Sequence, residues 1–67
     1  MSAYDNDPRV RQDVPGLFRI SESAEAVPFA WVERISSGWI ANSKQGLLRY
    51  GLATADEAIR SLIGDPQ

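Results

Sequence analysis

Two glycines, Gly38 and Gly46, constrain this chain more than any other feature of its sequence. Each closes a three-residue break, Ser36-Ser37-Gly38 and Lys44-Gln45-Gly46, between runs of apolar, β-branched and aromatic residues. A three-residue connection ending in Gly suits a type I turn followed by a left-handed residue, a conformation that glycine enters without a Cβ penalty. Two such turns in succession predict an antiparallel meander through residues 29–35, 39–43 and 47–52. A shorter strand, 17–20, comes before it, introduced by the turn pair Pro15-Gly16. A polar loop, Ser21 to Ala26, leads on to Pro28, which stands where a strand tolerates proline.

The chain then changes period. Thr54 followed three residues later by Glu57 is a capping box, and Asp56 and Glu57 put negative charge where the helix dipole favours it. Ala55, Ala58, Ile59, Leu62 and Ile63 make one apolar stripe. Asp56 and Arg60 are spaced to pair as i, i+4. Gly64 stops the run and Pro66 follows. The spacing predicts a helix over 55–63. The fold class expected is therefore α+β, a three- or four-stranded antiparallel β-meander with one C-terminal helix packed on one face.

At 67 residues the chain is one domain, and it has neither Cys nor His. A chain this short hides only about 60% of its unfolded surface. Disulfides and thiolate or imidazole metal sites, the usual supplements, are excluded. No metal and no cofactor is expected, and association with itself or another molecule is the remaining supplement. The net charge of −2, with both signs spread along the chain, does not mark a polyanion binder. No apolar run approaches the roughly 20 residues that span a bilayer. Met1 to Pro8 lacks the basic and apolar regions of a signal peptide, so a cytoplasmic protein is expected. Residues 1–16 carry alternating charges, Pro8 and Pro15, and no period of 2 or 3.6. They are read as an extended or disordered arm ahead of the domain at 17–67; the alternative is an arm that orders against a partner, with Tyr4, Arg9 and Arg11 as anchors.

If each glycine turn sets register, Ile35 pairs with Trp39 and Ser43 with Leu47. One face then carries Phe29, Trp31, Glu33, Ile35, Trp39, Ala41, Leu47, Arg49 and Gly51. The other carries Ala30, Val32, Arg34, Ile40, Asn42, Leu48, Tyr50 and Leu52. Both faces are apolar enough to need cover, and a helix about 10 Å wide covers one. The helix is expected over Trp31 and Trp39, where Gly51 opposite Trp39 leaves room for an indole. That leaves the Ile40, Leu48 and Tyr50 face exposed or partly covered by the arm; the reverse assignment stays open.

Catalysis is not expected. Ser36 and Ser37 fall in a turn, Thr54 at a cap, the carboxylates at the helix start or in a loop, and no base stands near a nucleophile. No glycine-rich phosphate loop is present. The segment Gly38-Trp39-Ile40-Ala41, followed by Tyr50-Gly51-Leu52-Ala53-Thr54-Ala55-Asp56-Glu57-Ala58-Ile59-Arg60, resembles the closing half of the three-strand-plus-helix unit of plant AP2-type DNA-binding domains and phage integrase arm-binding domains. The resemblance spans about residues 29–63 and implies a sheet that lies on DNA. Those families use basic residues on the sheet face away from the helix. Here that face offers Arg34, or Arg49 from the other side, with Lys44 in a turn, fewer than the six or so phosphate contacts behind appreciable affinity. The opening Asp7-Pro8-Arg9-Val10, the Gly38-Trp39 pair and the ending Ala53 to Ile59 resemble small proteins of actinobacteria and their phages. That resemblance implies an accessory role, as modulator or inhibitor of a larger host protein.

The function expected is a non-catalytic protein-binding module that docks through an uncovered apolar sheet face or an edge strand, with a protein partner or a second copy. The residues chosen for partner binding are Trp31, Arg34, Ile40, Leu48, Arg49 and Tyr50, since aromatic and arginine side chains carry most interface energy. The alternative is a DNA-binding module using the three-stranded sheet.

Overall fold

A computed structural model describes residues 2–67. Five strands, β1 (Val10–Val14), β2 (Leu17–Ile20), β3 (Ala30–Ile35), β4 (Gly38–Ser43) and β5 (Leu48–Leu52), form one antiparallel sheet in sequence order, and helix α1 (Ala55–Ile63) follows. The α+β meander closed by a C-terminal helix is as expected; the strand count is five rather than three or four. The added strand is β1, inside the stretch read as an arm. Its pairing with β2 turns on Pro15-Gly16, with Gly16 at φ +87°, the residue pair of a type II turn. The turn does more than introduce β2. It is in fact the tip of a hairpin whose first strand has no clean polar–apolar alternation.

The two glycine turns behave differently. At the second, the Ser43 N–H donates to the Leu47 carbonyl (2.9 Å) and Asn42 pairs with Leu48, so the three-residue connection with Gly46 at φ +92° stands. At the first, Ile35 pairs with Gly38, not Trp39, and the turn is the two residues Ser36 and Ser37. Gly38 belongs to β4, where a Cβ would lie 2.7 Å from the Leu52 carbonyl oxygen of β5. Close passage of a neighbouring backbone, added to its φ of +131°, is why glycine is required there. Shortening the turn by one residue slides β4 by one position against β3, and a shift of one exchanges the faces. Trp31 now pairs with Asn42 and Arg34 with Trp39, which puts the two tryptophans on opposite sides. Leu52, not Gly51, stands opposite Trp39.

One side of the sheet is the core. Ile20, Ala30, Val32 and Ala41 are fully buried there against Ala58 and Ile59 of α1, with Val10, Phe18, Trp39 and Leu52 around them. The helix therefore covers the Val32/Trp39/Ala41 face, not a face carrying both indoles. Burying one aliphatic side chain such as Ile59 contributes about 2–3 kcal/mol, so this small cluster supplies much of what holds the layers together. The helix ends match the sequence reading. Thr54 Oγ1 accepts from the Glu57 N–H (3.1 Å), the Glu57 carboxylate accepts from the Ala53 N–H (3.3 Å), and the Gly64 N–H closes on the Arg60 carbonyl (2.9 Å). The expected Asp56–Arg60 pair is not formed; Arg60 reaches Asp65 instead (3.4 Å).

Residues 2–9 pack against the helix side. Tyr4 is buried in the core, and its hydroxyl donates to the Gly64 carbonyl. Asp56 accepts from the Ser2 hydroxyl and from the Ala3 N–H (2.9 Å), and these bonds hold its carboxyl below the usual carboxylate range. Asp7 is buried and accepts from the Arg9 guanidinium (2.7 Å), the Arg9 N–H (2.9 Å) and the Gln67 N–H (3.0 Å). Arg9 also donates to the Asp65 carbonyl (3.0 Å). The guanidinium hydrogen bond is the largest reason that the Asp7 carboxyl lies far below its ordinary value. The reading of 1–16 as an extended or disordered arm is thus replaced by a clasp and a strand; Met1 lies outside the described residues. Of the residues named as anchors to a partner, Tyr4 and Arg9 are engaged within the chain itself, by Gly64, Asp7 and Asp65, and Arg11 lies on the other side of the sheet.

Candidate docking face

Alternation along the strands places a second set of side chains on the side away from α1. With the observed register, one row across β1 to β5 reads Arg11, Arg19, Trp31, Asn42, Leu48. The next reads Val14, Leu17, Glu33, Ile40 and then the bulged pair Tyr50-Gly51, with Ile35 beyond. Neither α1 nor the N-terminal clasp crosses this side, because both pack on the other; the loop between β2 and β3 borders it. Leu17, Trp31, Ile35 and Ile40 are shielded only in part, while Leu48 keeps 46% and Tyr50 67% of its surface.

Charge on this side is mixed and lopsided. Arg11 and Arg19 are direct cross-strand partners near the β1 edge. Asp13, the bulged residue of β1, pairs with Arg19 through its Nε. Among the described residues no carboxylate forms an ion pair with Arg11. The Lys44 ammonium sits 5.9 Å from the centre of the Trp31 ring, within the range of a cation–π contact. The β4 and β5 end, by contrast, is Ile40, Leu48 and Tyr50 around the amide of Asn42. Both edge strands are bulged, β1 at Asp13 and β5 at Tyr50-Gly51, a device that discourages pairing with further strands. The open face is thus better built for docking than either edge.

Of the six residues chosen from sequence, Trp31, Ile40, Leu48 and Tyr50 come together here. Arg34 does not: it pairs with Trp39 and so lies on the helix side. Arg49 pairs with Ala41 and is likewise turned to the helix side, at the open edge. The misplacement of Arg34 has a local cause, the shortened turn; Arg49 keeps the expected pairing with Ala41, and it lies on the helix side because that is the side α1 covers. Leu17, Ile35 and Arg19 are absent from that choice, and Arg11 enters the sequence reading only as an anchor of the N-terminal arm. The signal that could have found the arginines was Pro15-Gly16 read as a hairpin tip, which sets β1 beside β2 and Arg11 beside Arg19.

Arg34 lines a different feature, an open cleft of about 510 Å³ between the β1–β2 hairpin and the start of α1. Its floor is Phe18 and Trp39, whose ring centres are 6.0 Å apart at 47°. The Asp56 carboxylate at its rim is already occupied by Ser2 and Ala3. Among the described residues no group of acidic side chains could hold a metal ion. No helix is long and apolar enough to cross a membrane.

No family model matches the chain, and no curated protein or solved structure matches it either. The likeness of residues 29–63 to AP2-type and integrase arm-binding domains thus rests on the residues quoted for it alone.

Proposed function

We propose that this protein is a non-catalytic protein-binding module, an accessory or modulator of a larger protein, that docks through the sheet face away from α1. The supporting observation is that both covering elements, the helix and the N-terminal clasp, lie on one side of the sheet. The other side is left with Trp31, Ile40, Leu48 and Tyr50 open to a partner. Apolar side chains gathered on one uncovered face mark an association surface, and aromatic anchors inside such a patch dominate its energetics. The cytoplasm is the compartment that goes with this reading.

The row Arg11, Arg19, Trp31 supports the alternative, a sheet laid on nucleic acid, since it puts two arginines on the face from which Arg34 and Arg49 are turned away. Glu33 at the centre of the face and Asp13 beside Arg19 count against it, because each repels phosphate and few cations remain to release counterions. Capture from host lysate by the immobilised chain, repeated with Leu48→Asp and with Trp39→Leu in the cleft, tests the reading. A protein captured by the native chain and by the cleft variant, but lost with Leu48→Asp, is the expected result. Capture that ignores Leu48→Asp, or a nucleic acid whose retention falls steeply with salt, overturns it.

A further inference from the structure

We infer that the partner on this face is a different protein, not a second copy, and that it presents a carboxylate to Arg11 and Arg19 together with an apolar anchor for Leu48 and Tyr50. This rests on the proposed docking reading and adds the chemistry of the partner.

The first observation is a like-charge pair. Arg11 and Arg19 sit directly opposite each other on β1 and β2, an arrangement that weakens a sheet. One carboxylate, Asp13, relieves one of them, and Arg11 is left over. The two arginines also line a depression of about 260 Å³ with Arg9, Glu25, Val27 and Pro28, where Val27 keeps 77% of its surface; Arg9 is taken by Asp7, and Glu25 forms no ion pair with either arginine. Two guanidiniums beside an apolar rim form a receptor for a carboxylate held on an apolar segment, since arginine binds carboxylates through paired, charge-assisted hydrogen bonds.

The second observation is the gradient across the face. Three cations, Arg11, Arg19 and Lys44, stand against Asp13 and Glu33 on the strands and Glu25 on the bordering loop, an even balance in a chain that is net −2. The free cation lies at the β1 and β2 end, beside Val14 and Leu17, and the exposed apolar pair Leu48 and Tyr50 lies at the β5 end. Neighbouring strands are about 4.8 Å apart, so the two ends are separated by roughly 15–19 Å. A two-fold dimer joins a face to itself. With the axis along the strands, β1 falls on β5 of the other copy, and Arg11 is buried against Leu48 and Tyr50. With the axis across the strands, β1 falls on β1, and four guanidiniums gather along one edge against two Asp13 carboxylates. Both arrangements desolvate unpaired charge, which costs several kcal/mol. A non-identical partner with acid at one end of its patch and apolar groups at the other incurs neither cost. Glu33 and the few free cations argue for protein over nucleic acid here too.

The test is selection of randomised 12-residue displayed peptides on the immobilised full-length chain, followed by affinity measurements on the enriched peptides. Sedimentation of the free chain at 10 µM and at 1 mM accompanies it. The expected peptides carry Asp or Glu beside an aliphatic or aromatic residue. They lose at least about tenfold in affinity on Arg11→Glu or Arg19→Glu and regain it when the peptide acid is changed to Lys. Circular dichroism checks that the variants stay folded, and Arg11→Gln gives a milder neutral version of the same test. The chain itself should sediment as a monomer at both concentrations. Peptides without acids, or affinities that Arg11→Glu and Arg11→Gln leave unchanged, overturn the inference. So does a dimer lost with Leu48→Asp, or an oligonucleotide bound through Arg11 where peptides are not. If acid-free peptides bind and Leu48→Asp abolishes them, the docking reading survives and only the partner chemistry falls. If Leu48→Asp affects no binding at all, the docking reading falls as well.

Discussion

The two sides of this sheet are built from the same strands, yet one is sealed and the other is open. On the helix side, side chains are small or branched where α1 crosses them, Ala30, Val32 and Ala41 beneath Ala58 and Ile59, and all five are fully buried. On the far side the residues at alternate positions are larger and more amphipathic: Trp31, Glu33, Ile40, Leu48 and Tyr50. A helix must come within about 10 Å of a sheet to pack, and alanine beneath it allows that approach. Tryptophan under Lys44 beside an arginine pair does not. The contrast separates residues chosen for stability from residues whose presence stability does not explain.

Four substitutions sharpen or break that contrast. The largest effect is expected from Ile59→Ala. A cavity in the centre of the sealed side should cost about 3–4 kcal/mol, at least about a third of the stability of a 67-residue domain, at roughly 0.05–0.15 kcal/mol per residue. Urea denaturation should show a midpoint far below that of the native chain. Next is Gly38→Ala, where a methyl group meets the Leu52 carbonyl at a backbone angle only glycine enjoys. About 3 kcal/mol is expected, with the amide protons of β4 and β5 losing hydrogen-exchange protection before those of β1 and β2.

Asp7→Asn comes third, at about 2 kcal/mol for loss of its charge-assisted bonds to Arg9. Its pH dependence has a definite sign. The folded-state pKa of Asp7 is depressed, and that of Asp56 is depressed too. The stability each contributes is therefore fully present above the ordinary carboxylate value, about 4, and is lost as pH falls from there. Denaturation midpoints measured at pH 7, 4 and 2.5 should fall for the native chain, and fall less for Asp7→Asn; equal slopes would remove Asp7 as the acid-sensitive group. The smallest effect belongs to the open side. Leu48→Asp should change stability by no more than about 0.5 kcal/mol, measured by the same urea titration, while abolishing partner capture. A loss above about 2 kcal/mol would mean that Leu48 serves the fold, and the contrast between the two sides would fail.

Much of the fold is legible residue by residue. Thr54, Glu57 and Gly64 specify where the helix begins and ends through bonds within a few residues, and those bonds form. Lys44-Gln45-Gly46 likewise defines its own turn. The Ser36-Ser37-Gly38 break misleads because Gly38 is demanded by the Leu52 carbonyl, fourteen residues later in β5, not by the turn beside it. The N-terminal clasp is illegible for a similar reason. Tyr4, Asp7 and Arg9 have no pattern among themselves and acquire one only against Gly64, Asp65 and Gln67 at the other end of the chain. The candidate face divides on the same line. Trp31, Ile40, Leu48 and Tyr50 stand out by type alone, whereas the exclusion of Arg34 and the entry of Arg11 and Arg19 depend on register.

By itself, then, the order of residues determined the meander, the helix with both of its caps, and the absence of any chemistry that needs Cys or His. Which indole faces the helix, and which arginines meet on the open side, was decided in three dimensions. The reason is that side-chain direction in a strand reverses with every residue. One residue more or less in a turn, settled by contacts distant in sequence, is enough to exchange the inside of a sheet for its outside.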